Sequence, residues 1–183
     1  KAVFIIPPTV ELLDLSGPVQ VFVEAKFHGL DIALEFYQVG DSTVSTAGIG
    51  FEKLRQFSEA NLSEGDHVFV PGMDNDYVNS ISFKAEKAFF KWLKACSDNK
   101  VTVCSICTGA FALGHAGLLT DTECTTHWRR VGQLQKQFPR AKVLSDILFK
   151  KSNNIYTSAG SIAGIDMVLP ILEALTAPLF SHK

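Results

Sequence analysis

Cys107 stands where an apolar run, residues 101–106, meets a helix-forming run that opens Thr108-Gly109-Ala110. A sharp strand-to-helix turn at that junction does two things. It puts the cysteine at a helix N-terminus, whose partial positive charge favours the thiolate. It also leaves the Thr108 N–H without a helical partner, free to bind an oxyanion. Gly109 keeps the approach open. The arrangement parallels the nucleophile elbow of hydrolases, although G-x-S-x-G itself is absent. A cysteine at a strand end serves equally as a small buried hydrophobe, and the sequence shape leaves the two readings level.

Three further segments bear on the same chemistry. Pro71-Gly72-Met73 offers a second oxyanion donor from the N–H of Met73 or Gly72, or is a plain strand-terminating turn. Asp14 interrupts the apolar stretch Leu12-Leu13-Asp14-Leu15, where a carboxylate either caps a backbone turn or faces a pocket as acid or base. His127 is a candidate partner for a thiolate or ligand, and His after a strand is also a common structural hydrogen-bonding group.

The other cysteines are Cys96, Cys104 and Cys124. Cys104 and Cys107 form a C-x-x-C, which invites a redox or zinc reading. A strand turns alternate side chains to opposite faces, so residues three apart point away from each other. No second Cys/His pair completes a tetrahedral site. Neither a metal nor a cofactor is expected.

The elements that must position these residues follow from the apolar pattern. Residues 2–6 form a continuous apolar run ended by Pro7-Pro8, the mark of a parallel strand covered on both faces. A loop through residues 12–15 leads to Ser16 as N-cap, with Pro18 in the first turn of a helix over residues 19–28. Strands are expected at 32–39, 67–70, 101–106 and 155–158, with a short strand or hairpin over 43–51 and a connector over 57–62. Residues 83–95 and 130–138 carry helical patterns. Residues 143–144 and 147–149 look like a β-turn-β pair. Ser161 is read as N-cap of a last helix over 162–175, with Asp166 in its first turns. Alternating strands and helices give an α/β, flavodoxin-like, doubly wound and mostly parallel sheet with helices on both faces. Ligands in such sheets bind beyond the carboxyl ends of the strands, where Asp14, Pro71-Gly72-Met73 and Cys107-Thr108 all arrive.

The chain has 183 residues, enough for one domain with a full core, and carries a net charge of −2. Nucleic-acid binding by this segment is not expected, because phosphate neutralisation needs a basic face. The pairs Arg129-Arg130 and Lys150-Lys151 read as solvated surface, with Arg129 also a candidate ligand or dimer contact. No apolar stretch is long enough to span a bilayer, and no export signal opens the sequence. A cytoplasmic protein with reduced cysteines is expected.

The motifs also carry a resemblance. Leu13-Asp14-Leu15-Ser16-Gly17-Pro18, Val70-Pro71-Gly72, Ser105-Ile106-Cys107-Thr108-Gly109-Ala110, Ala116-Gly117-Leu118-Leu119, Thr125-Thr126-His127-Trp128 and Thr157-Ser158-Ala159-Gly160 appear in order. Together they resemble the ThiJ/PfpI superfamily, whose fold is like that of class I glutamine amidotransferases. Within it the chain is most similar to the N-terminal domains of AraC-family transcription regulators, and also to isonitrile hydratase, which hydrates R–N≡C to a formamide. The second resemblance implies catalysis by Cys107, Asp14 and Thr108. Thr108 stands where PfpI-type proteases have histidine, and no late His-x-Glu is present, so protease and glutaminase activities are not implied. The first resemblance implies a small-molecule-sensing homodimer. Its ligand would lie around Gly72, Met73, Gly109 and His127, and DNA would be held by a helix-turn-helix domain expected beyond Lys183. A third reading is a redox-responsive domain in which the Cys107 thiolate is oxidised.

Overall fold

The computed structural model describes residues 1–41, 43–52 and 54–180. Four buried segments build the centre of its main sheet: β1 (Ala2–Ile6), β4 (His67–Val70), β5 (Thr102–Ile106) and β9 (Ile155–Ser158). Helices cover both of their faces, so alternation of polar and apolar residues is not required of them. The sheet is extended by β2 (Leu34–Gln38) and β3 (Arg55–Gln56) on one side and by β8 (Phe149–Ser152) on the other. Its order is β3-β2-β1-β4-β5-β9-β8. All pairs are parallel except β8 with β9. The doubly wound, mostly parallel α/β architecture expected from the sequence is the one observed.

Successive side chains of β1 feed two cores. Phe4 and Ile6 join Phe22, Phe69, Ile106, Met167 and Val168 beneath α1 (Leu12–Phe27) and α7 (Ser161–Phe180). Phe4 stacks on Phe69 with ring centroids 4.8 Å apart. Val3 and Ile5 join Val68, Val103, Phe89, Leu93 and Phe111 on the opposite face, under α4 (Lys87–Asp98) and α5 (Ala110–His115).

Several local expectations are corrected. α1 begins at Leu12, so Asp14 lies in its first turn rather than in a loop, and Ser16 is an exposed helical residue instead of the cap. Glu11 occupies the cap position, held by its N–H donating to the Gly72 carbonyl at 2.8 Å. Pro18 then sits inside the helix, where it costs one backbone hydrogen bond. The helix over 83–95 divides into α3 (Ile81–Lys84) and α4, after a short α2 (Asn75–Asn79). Ser80 caps α3 through its hydroxyl at 3.0 Å from the Phe83 nitrogen, and Glu86, at ψ 46°, breaks the run.

The segments at 143–144 and 147–149 do not pair with each other. β7 (Lys142–Val143) pairs in parallel with β6 (Glu123–Cys124), and β8 pairs with β9. An exposed turn with Asp146 at φ 58° separates them. Residues 43–51 form the expected hairpin, closed by Val44 opposite Gly50. α6 (Val131–Gln137) follows a single 3₁₀ turn at Trp128–Arg130. Residues 181–183 lie outside the described residues.

Candidate functional site

β5 delivers the chain to Cys107 at φ 54°, a left-handed value that is costly for a residue with a β-carbon. Cys107–Gly109 form one 3₁₀ turn before α5 starts at Ala110. Gly109 is required by close approach. A β-carbon there would lie 2.1 Å from the carbonyl oxygen of Val70, at the end of β4. Thr126 secures the turn from the other side, its hydroxyl donating to the Cys107 carbonyl at 2.7 Å.

Asp14 is fully buried and reaches Cys107 across Gly72. A β-carbon on Gly72 would stand 2.1 Å from Asp14 Oδ2 and 3.0 Å from Cys107 Cβ. The missing side chain is therefore what lets the carboxyl and the cysteine face each other. Neither carboxyl oxygen completes a hydrogen bond of ordinary geometry. Burial raises the Asp14 pKa, and the nearby Ser161 and Cys107 side chains and the Gly72 N–H offset part of that rise.

Burial also pushes the Cys107 thiol far up, and the Asp14 carboxylate adds to the effect. Burial and the neighbouring Asp14 therefore both oppose the thiolate expected from the helix terminus. The helix-terminus effect is worth about 0.3–1 kcal/mol near a surface, too little to offset desolvation and a neighbouring anion. The pair can still do chemistry. Asp14 stands ready to take the thiol proton as sulfur attacks an electrophile.

Thr108 is used differently from the expectation. Its hydroxyl donates to the Met73 carbonyl at 2.7 Å and accepts from the Met73 N–H at 2.8 Å. The Met73 N–H and the Thr108 hydroxyl are therefore committed to each other, and the Gly72 N–H is turned to Asp14. The second oxyanion donor sought in Pro71-Gly72-Met73 is not free. What remains is the Thr108 N–H, which faces the Cys107 sulfur.

Asp14, Met73, Cys107, Thr108 and His127 line one cavity of about 290 Å³. Gly72 and Gly109, expected among the ligand contacts, are not part of its lining. His127 accepts from the Arg129 N–H at 3.3 Å through Nδ1, and burial with the charges of Arg129 and Arg130 holds it below the usual histidine range. Arg129 itself lies over the Trp128 ring, 4.7 Å from its centroid.

Five further residues complete the lining: Glu11, Asp74, Asn75, Arg130 and Ser161. The signal for most of them was position. Glu11, Asp74-Asn75 and Ser161 follow the carboxyl ends of β1, β4 and β9, where ligands bind in such sheets. The local sequence points instead to a helix cap for Ser161 and to solvated surface for Arg130. Asn75 Oδ1 is buried without a partner and belongs to this lining. Among the described residues, no three His, Cys, Asp or Glu side chains gather as a metal site, and no helix is long and apolar enough to cross a membrane.

Comparison with known proteins places this arrangement. The model of the DJ-1/PfpI family matches residues 1–174, and the chain belongs to that family. An uncharacterized protein in the cpoL 5' region of Streptomyces lividans is 32% identical over 142 residues, covering 76% of this chain and 95% of that one. The HTH-type transcriptional regulator GbdR of Pseudomonas aeruginosa is 40% identical over 68 residues, 37% of this chain and 18% of the regulator. Isonitrile hydratase of Pseudomonas putida is 29% identical over 172 residues, 94% of this chain and 70% of the enzyme. An AraC family transcriptional regulator from Pseudomonas putida has a crystal structure with the same fold. The TM-score is 0.79 at 20% identity, with 95% of this chain and 91% of that one covered.

Proposed function

We propose that this member of the DJ-1/PfpI family is the small-molecule-sensing, dimerising domain of an AraC-type transcription regulator. Its contact with DNA would run through a separate helix-turn-helix domain. The observation that carries the reading is the mutual commitment of the Thr108 hydroxyl and the Met73 N–H. It leaves a formed cavity beside a cysteine with one backbone donor, which suits holding a ligand better than stabilising a transition state. The charges around the cavity suit a small nitrogen-containing metabolite. Glu11 and Asp74 offer anionic partners for a cationic nitrogen, and Arg130 offers a cation for an acidic group. The similarity to GbdR supports a regulator.

A second reading is favoured by the approach of Asp14 to Cys107. In an isonitrile hydratase-like reaction the Cys107 sulfur would bond to the isocyanide carbon while its proton passes through Asp14 to that carbon, giving a thioimidate. Water would then add to the same carbon, the C–S bond would break, and the returning proton would leave Cys107 as thiol and the product as a formamide. The Thr108 hydroxyl has no part in these steps, being held by Met73.

The two readings separate in one experiment. The protein is incubated with cyclohexyl isocyanide and, in parallel, screened for thermal stabilisation by a panel of amino acids and quaternary amines. Saturable stabilisation by a panel member, kept in Cys107→Ala, with no formamide, is the expected result. Formamide production that Cys107→Ala abolishes would overturn the sensor reading in favour of the enzyme.

A further inference from the structure

The Thr125-Thr126-His127-Trp128 motif has so far contributed only His127 to the cavity. Thr126 is fully buried, and its hydroxyl meets the Cys107 carbonyl at 2.7 Å. It is held there from both sides. The preceding Thr125 N–H donates to Thr157 Oγ1 on β9 at 2.8 Å, and Thr125 Oγ1 donates to the Leu144 carbonyl at 2.9 Å, beyond β7. A donor fixed by β9 and by the segment after β7 imposes its direction on the acceptor rather than following it.

The acceptor belongs to the peptide unit that joins Cys107 to Thr108. That unit is trans, as are all the described peptide bonds. In a planar trans peptide the C=O and the N–H point in opposite directions. Fixing the Cys107 carbonyl therefore also aims the Thr108 N–H, which is the donor that faces the Cys107 sulfur. The unit needs such a hold, because Cys107 at φ 54° would otherwise relieve its strain by rotating.

We propose that Thr126 is a positioning residue for the cysteine: by holding the Cys107 carbonyl it aims the Thr108 N–H at the sulfur and at whatever group binds beside it. The role applies to both readings of the cavity, because it concerns the sulfur and not the ligand. Thr126 touches neither the cavity nor its occupant.

The test compares Thr126→Val, which keeps the shape and removes the donor, with Thr126→Ser, which keeps the donor. Iodoacetamide labelling of Cys107 is followed by mass spectrometry across pH 6–10, and the Thr108 amide proton by NMR. Loss of one hydrogen bond to a charged sulfur is expected to slow labelling roughly tenfold in Thr126→Val and to move its pH profile to higher pH. The Thr108 amide resonance should shift upfield, and Thr126→Ser should restore both. A merely structural role would lower the melting temperature and leave the pH profile and amide shift unchanged, which would overturn the proposal. Thr126→Ala replaces Thr126→Val if the valine variant does not fold. Failure of both to fold while Thr126→Ser folds would also overturn it, since the hydroxyl would then serve the whole domain.

Discussion

Replacing Asp14 by Asn should make Cys107 more reactive, not less. Asp14 Oδ2 and Cys107 Cβ lie 2.1 and 3.0 Å from one point, the place of an absent β-carbon on Gly72. Carboxylate and sulfur are thus neighbours in a site where Asp14 is fully shielded from water. After burial, the Asp14 charge is the next cause of the raised thiol pKa. A like charge at such range raises a pKa by about 1–3 units. Asn removes the charge at nearly constant volume, so the thiolate fraction at pH 8 should rise by the corresponding factor. A less basic thiolate is also a weaker nucleophile, by about threefold per unit. The net increase in iodoacetamide labelling is therefore about 3- to 30-fold. The assay is the labelling rate of Cys107 by mass spectrometry, against Cys104 as a buried internal control and with the melting curve checked. Slower labelling in Asp14→Asn would refute the reasoning. It would mean that the service of Asp14 as base for the thiol proton outweighs the charge it sets against the thiolate.

Other outcomes follow from single contacts. Gly109→Ala should destabilise the fold by about 3 kcal/mol or more, because its β-carbon would meet a backbone oxygen at 2.1 Å that cannot rotate away; urea unfolding measures this. Thr108→Val should cost about 2 kcal/mol in the same assay and Thr108→Ser much less, since valine strands both the N–H and the C=O of Met73. His67 is held by burial at a pKa of about 4, below its usual 6.5. The unfolded chain therefore binds a proton first, so this contribution is complete above pH 6.5 and is lost as the pH falls to 4. A loss of roughly 2–3 kcal/mol over that window should appear in urea midpoints and be reduced in His67→Phe.

The sheet was legible because its central strands are short runs rich in apolar and β-branched residues, bounded by turn residues. Residues 2–6, 67–70 and 155–158 were bounded correctly from the sequence, and 101–106 to within a residue. What was misread had a competing local signal. Ser16 and Pro18 look like a helix start, yet the helix begins at Leu12 because tertiary contact between Glu11 and Gly72 sets its first turn. Cys107 looked like a thiolate because the local argument counts the helix terminus and cannot count burial or a carboxylate brought in from α1. The Thr108–Met73 exchange joins residues 35 positions apart, and no spacing rule reaches that far. Gly109 was legible as an opening, and Gly72 only as a donor or a turn residue. The structure uses them to admit Asp14 and the Val70 carbonyl.

Gly109, Thr108 and Thr126 together show what the site is built to keep constant. Each fixes the turn that carries Cys107: Gly109 seats it on β4, Thr108 ties it to Met73, and Thr126 holds its carbonyl. The cavity wall on the other side is made by side chains on separate elements, Glu11 before α1, Asp74 before α2 and Arg130 before α6. None of these three has to change for Cys107 to stay in place. Ligand choice can therefore vary through the charged wall while the cysteine turn is preserved. That division explains how one turn geometry serves both a regulator-like and a hydratase-like reading. It also directs the search for specificity to Glu11, Asp74 and Arg130 rather than to Cys107. Arg130→Ala should change which panel members stabilise the protein while leaving the pH profile of Cys107 labelling in place, and a shifted labelling profile would show that wall and turn are not separate.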